Sequence, residues 1–202
     1  MTWTANSCFV TLAILFLWRG EEVAEACRCF PAHPQEAFCR SDVVMRGKVV
    51  GVQEVDAGND IFGNPTKYDI KQIKMFKGPS NGIDALYTNP YSSCGVTLNN
   101  GTEYLITGKL NDDGMMHIAL CDFIKPWDDL SETQKKSLTQ RYERGCGCKF
   151  TFCFTTPCMV SSPAECMWTD SLIDNEMYGG QAKRLVCMKR SDGSCAWYRG
   201  PH

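Results

Sequence analysis

Apolar residues first cluster at Phe9-Val10-Thr11-Leu12-Ala13-Ile14-Leu15-Phe16-Leu17-Trp18. A run of this length is too short to cross a bilayer, which takes about 20 residues. Ala24-Glu25-Ala26 follows with the small-x-small pattern of a cleavage site. Residues 1–26 therefore read as a secretory signal, although no Lys or Arg precedes the apolar block, and the mature chain begins at Cys27. Pro34 suits a first helical position and predicts a short helix to about Arg40. The Val-rich stretch Val43–Val55, interrupted by Gly47 and Gly51, predicts a long strand with bends or bulges. Residues 57–65 form a dense turn signal that carries Ile61 and Phe62 at its tip. Alternation from Tyr68 to Met75 predicts a second strand, stopped at Lys77-Gly78-Pro79. Shorter strands are expected at 83–88, 95–98, 103–107 and 116–121, separated by Asn81-Gly82, Asn100-Gly101 and Asp113-Gly114. Ser131-Glu132-Thr133-Gln134 is a capping box that opens a polar helix to about Tyr142, expected on the barrel surface. Many short strands with little helix between them predict a mainly β (α+β) fold, a closed antiparallel barrel with flanking helices.

Composition changes this picture in one region. The chain has 13 cysteines, and Cys8 leaves with the signal, so twelve remain, an even set for an oxidising compartment. Cys146-Gly147-Cys148 marks a boundary, beyond which residues 148–202 hold six of those twelve. That density predicts a small C-terminal domain held by disulfides, with Trp168 and Trp197 in its core or lid. The expected division is a signal at 1–26, a first domain at 27–146 and a second at 147–202.

Charge excludes more than it suggests. Of 21 basic and 23 acidic residues, the signal removes Arg19, Glu21, Glu22 and Glu25, leaving 20 of each. A balanced chain gives no general reason to expect nucleic acid or an acidic surface as partner. With three histidines and no H-E-x-x-H, G-x-S-x-G, P-loop or Rossmann pattern, nothing points to an enzyme or to a cofactor of its own. The Cys-x-Cys pairs at 27/29 and 146/148 and Cys-x4-Cys at 153/158 do not match paired Cys-x2-Cys zinc spacing. Asn100-Gly101-Thr102 is an N-glycosylation candidate in a predicted turn, whereas Pro65 excludes Asn64-Pro65-Thr66.

At Cys27-x-Cys29-x-Pro31-x-His33-Pro34 with Phe38-Cys39, the sequence resembles the tissue inhibitors of metalloproteinases. The resemblance runs on through Ile70–Gly78, Cys121-Asp122-Phe123-Ile124, Pro126-Trp127 and Gln134–Leu138 to Lys189–Gly200. Twelve cysteines allow about ten thousand pairings, so spacing cannot select one. The resemblance implies Cys27–Cys94, Cys29–Cys121, Cys39–Cys146, Cys148–Cys195, Cys153–Cys158 and Cys166–Cys187, and a five-stranded OB-type barrel in the first domain. It further implies secretion and inhibition of matrix metalloproteinases and related metalloproteinases by a monomer, with the Cys27 amine and carbonyl chelating the protease's zinc. The protease-facing residues it implies are Cys27, Arg28, Cys29, Phe30, Pro31, Arg40, Ile61, Phe62 and the loop Tyr91-Ser92-Ser93-Cys94-Gly95-Val96.

Two departures bear on the partner. Family members usually carry Ser or Thr at the position of Arg28, which points into the main specificity pocket. Either Arg28 narrows the target range to deep or acid-lined pockets, or its aliphatic stem fills the pocket mouth while the charge reaches water. The chain also stops at Gly200-Pro201-His202 without an acidic tail, so a proenzyme contact through the C-terminal domain is expected to be weak or absent. Two alternatives stand beside inhibition: a netrin-type binding module, and a disulfide-rich ligand of a cell-surface receptor.

Overall fold

The computed structural model describes residues 27–56 and 64–201. Residues 1–26, residues 57–63 with the expected contact residues Ile61 and Phe62, and His202 lie outside the described residues. His33 caps the first helix, α1 (Pro34–Arg40), by accepting on Nδ1 from the Gln35 N–H, and proline starts the helix as the sequence suggests. Strands β1 (Val43–Glu54), β2 (Thr66–Lys77), β3 (Ala85–Thr88), β4 (Glu103–Leu110) and β5 (Met116–His117) follow. Their order, β1-β2-β3-β5-β4 with β4 pairing back to β1, closes a five-stranded barrel, and β6 (Ile124–Pro126) adds to β4. All pairings in this sheet are antiparallel except β3 with β5. The glycine-interrupted first strand carries register shifts at Arg46/Gly47 and Val49/Gly51, the bulges that let a long strand wrap a small barrel.

Alternation along the strands fills the barrel. Val43, Met45, Val49, Tyr68, Ile70, Leu86, Ile106 and Met116 point inward and form one cluster. Each large apolar side chain buried there contributes about 1.5–3 kcal/mol. The outward Val44 and Leu105 instead pack with Phe38 of α1, with Leu130, Leu138 and Tyr142, and with Val186 near the C-terminus.

The helix α2 (Glu132–Gln140) has the capping box, with Ser131 Oγ accepting from the Gln134 N–H and Gln134 Oε1 accepting from the Ser131 N–H. It is not a solvated surface helix: Gln134 Nε2 donates to Ala182 O and Ser131 Oγ to Lys183 O. It ends two residues earlier than expected, and a 3-10 turn covers Tyr142–Gly145. The C-terminal part has a parallel pair, β7 (Lys149–Phe152) with β8 (Glu165–Trp168). Short helices α3 (Asp170–Ile173) and α4 (Gly180–Arg184) lead to the hairpin β9 (Leu185–Lys189) and β10 (Cys195–Arg199). No helix among the described residues is long and apolar enough to cross a membrane.

Two expected strands are corrected. Residues 95–98 form no strand, because their N–H groups are taken elsewhere: Gly95 donates to Ser92 O in a turn, Val96 to Thr88 Oγ1 and Leu98 to Tyr68 OH. The segment 116–121 keeps only Met116–His117 as strand and then turns.

Candidate functional site

Residues 27–33 make no helix or strand, so other bonds must hold them. Disulfides Cys27–Cys94 and Cys29–Cys121 tie the segment to two separate loops. Cys27 Sγ lies 3.6 Å from both Cys29 Sγ and Cys121 Sγ, so the two bridges stack against each other. Four further bridges join Cys39–Cys146, Cys148–Cys195, Cys153–Cys158 and Cys166–Cys187. Two groups of cysteine sulfurs are close enough to hold a metal, Cys27/Cys29/Cys121 and Cys148/Cys187/Cys195. Every one of those sulfurs is in a disulfide, which leaves no thiolate as ligand.

The loop opposite Cys27 is a series of tight turns. Asn89 Oδ1 accepts from the Tyr91 N–H, Asn89 O from Ser92 N–H at 3.2 Å, and Ser92 O from Gly95 N–H at 2.9 Å. Gly95 is required here by close approach: a Cβ would sit 2.3 Å from Asn89 O, a backbone atom that cannot swing away. This folding places Ser93 Oγ 3.0 Å from the Cys27 nitrogen, which donates to it. Cys94 O accepts from the Leu120 N–H at 2.9 Å, which fastens the Cys121 loop to the same unit.

The ridge presents an open face. Arg28 is exposed, and Phe30, Tyr91 and Leu120 are 81%, 68% and 60% exposed, an unusual apolar display for a solvated loop cluster. A cleft of about 350 Å³ separates Phe30, Pro31 and Leu120 from Met177 and Tyr178 of the C-terminal part. Asp122 lines it, its carboxyl pushed up by burial and partly offset by the Ala119 N–H.

Behind the ridge the chain is deeply anchored. His33 is fully buried among Phe150, Trp168 and Trp197, and burial pushes its pKa down to about 3, so the ring is neutral. Gln35, also fully buried, donates to Tyr142 O and Cys187 O and accepts from the Cys187 N–H. The segment that leaves the ridge is thus clamped between the barrel and the C-terminal part.

Of the sequence-derived residues, Cys27, Arg28, Cys29, Phe30, Pro31 and Tyr91 to Gly95 come together at this ridge. Val96 packs against the barrel core, and Arg40, at the end of α1, pairs with Glu36 at 2.6 Å. Leu120, Met177 and Tyr178 belong to the site's surroundings and have no sequence signal, since nothing in their local pattern marks their place at this cleft. His33 and Gln35 were equally silent, because their partners lie up to 152 positions away.

A family model described as tissue inhibitor of metalloproteinase matches residues 25–197. Metalloproteinase inhibitor 2 of Cavia porcellus is 57% identical over 203 residues, covering 98% of this chain and 92% of that one. The Homo sapiens protein of that name is 56% identical over 202 residues, covering 97% and 92%. The Gallus gallus one is 55% identical over 200 residues, covering 96% and 90%. With matches of this length and identity, the chain belongs to the tissue inhibitor of metalloproteinase family.

Proposed function

We propose that this chain is a secreted inhibitor of zinc metalloproteinases, matrix metalloproteinases foremost, and that Cys27 binds the protease's catalytic zinc through its α-amine nitrogen and carbonyl oxygen. The observation that carries this reading is how Cys27 is held. Its sulfur is bridged to Cys94, its nitrogen faces Ser93 Oγ, and the Cys29–Cys121 bridge braces it from the other side. A catalytic zinc keeps one position for water or substrate. An α-amine has an unperturbed pKa of about 8, so it yields its proton to a metal at neutral pH with little penalty. The amine and carbonyl of one residue form a five-membered chelate that displaces the water the protease would activate. A zinc-bound amine still carries two N–H groups, and Ser93 Oγ is placed to accept one, which aims the lone pair.

Rigidity supports the same reading. A chain terminus is ordinarily frayed. Here two bridges within three residues, with Pro31 behind them, order it in advance and reduce the entropy lost on binding. Phe30, Tyr91 and Leu120 supply apolar contact around the chelate, and exposed Arg28 follows it towards the specificity pocket.

Acetylating the α-amine of the mature protein tests this. The nitrogen then lacks a lone pair for zinc, and inhibition of a matrix metalloproteinase should fall by orders of magnitude with the fold intact. Equal inhibition by the acetylated and free proteins would sink the chelation reading.

A further inference from the structure

The inhibitory reading leaves the Asn100-Gly101-Thr102 sequon unused, and its surroundings are informative. Asn99 O accepts from the Thr102 N–H at 3.3 Å, and Gly101 has φ +80°, the glycine position of a type II turn. Asn99, Asn100 and Gly101 are exposed, and a Cβ built on Gly101 meets nothing within 4 Å. The turn is therefore open enough to take a large substituent on the Asn100 amide.

This turn lies at the point where β1 leaves the barrel. Gly101 N–H donates to Val49 O at 2.8 Å and Val49 N–H to Thr102 O at 3.1 Å, so Asn100 and Val50 flank the same hydrogen bond. The β1–β4 ladder ends at Lys48 and Glu103, and beyond Val49 the strand pairs only with β2 among the described residues. Among the described residues β1 is thus an open edge from Val50 to Glu54, with Val50 and Val52 52% and 49% exposed. An exposed β-branched edge is a template for pairing with another copy, and folded proteins cover or charge such edges.

We propose that Asn100 carries an N-linked glycan and that this glycan covers the open edge of β1, keeping copies of the chain apart. The donor is a polyprenyl-pyrophosphate-linked oligosaccharide. The Asn100 amide nitrogen forms a bond to the anomeric carbon, the carbon–oxygen bond to pyrophosphate breaks, and the lipid pyrophosphate leaves with the electron pair. The amide nitrogen gives up one proton.

The test uses the protein secreted from animal cells, as wild type, N100Q, T102A, T102S and the double variant N100Q/V52K. Glycopeptide mass spectrometry reads occupancy, light scattering over a concentration series reads association, and circular dichroism checks the fold. Wild type and T102S are expected to be modified and monomeric. N100Q and T102A are expected to be unmodified and to self-associate as concentration rises, and V52K in N100Q to restore the monomer. An unmodified Asn100 in the wild type overturns the site. Unmodified variants that remain monomeric, or an N100Q association that V52K leaves unchanged, overturn the covering role. No arm depends on protease inhibition.

Discussion

Replacing Ser93 by Ala removes the acceptor 3.0 Å from the Cys27 nitrogen. Ser93 is exposed, and its loop keeps the Cys94 bridge and the turns at Asn89 and Ser92, so the melting temperature should hold. An exposed neutral hydrogen bond contributes about 1 kcal/mol, and a metal-polarised N–H raises that towards about 2. Inhibition should therefore weaken roughly five- to thirtyfold, mainly through faster dissociation. Ser93→Thr keeps a hydroxyl and should recover most of the loss. The assay is a progress-curve measurement of the inhibition constant, repeated with the α-amine acetylated. If Ser93 acts by aiming the lone pair, its substitution matters much less once acetylation has abolished the zinc bond. An unchanged constant, or the same loss in free and acetylated proteins, would refute the reasoning and assign Ser93 to loop shape alone.

Three other changes test the supports of the ridge. Gly95→Ala puts a methyl 2.3 Å from Asn89 O, so the loop must shift; about 1–3 kcal/mol of stability and a large part of inhibition should be lost together, read by urea denaturation and by the inhibition constant. Gln35→Ala leaves the Cys187 N–H and the Cys187 and Tyr142 carbonyls without their partner, and should lower stability by about 3 kcal/mol with an unchanged denaturant slope. His33 is held neutral with its pKa pushed down to about 3 from an ordinary 6.5, so the unfolded chain takes up a proton that the folded one refuses. The stability this confers is present above pH 6.5 and is lost as pH falls towards 3, at up to about 1.4 kcal/mol per pH unit. His33→Phe should flatten that dependence when denaturant midpoints are compared at the two ends of the window, whatever it does to absolute stability.

The parts of the fold that could be read from the sequence were those set by neighbours in the chain. Pro34 announced α1, Gly47 and Gly51 announced the bulges of β1, and Ser131 with Gln134 announced the cap of α2. Where long-range partners decide, local pattern misled. Residues 95–98 look like a strand, yet the hydroxyls of Thr88 and Tyr68 take the N–H groups of Val96 and Leu98. β6 has no clear local signal, because Ile124-Lys125-Pro126 is short and ends in proline, tolerable only at a sheet edge such as this one. At the candidate site, Cys27-x-Cys29 marked the ridge, but the contact that orients Cys27 spans 66 positions to Ser93, and no local pattern signals it. His33 and Gln35 carry the same lesson: buried polar groups are chosen by partners that only the folded chain brings near.

The most direct measurement compares the mature protein, beginning at Cys27, with a form that retains Ala26, against one purified matrix metalloproteinase. Both forms keep the same disulfides and packing, and the extra residue turns the amine into an amide whose lone pair is delocalised into the carbonyl. The extended form should inhibit orders of magnitude more weakly while melting at the same temperature. Equal inhibition by the two forms, each verified by mass spectrometry, would contradict zinc chelation by Cys27.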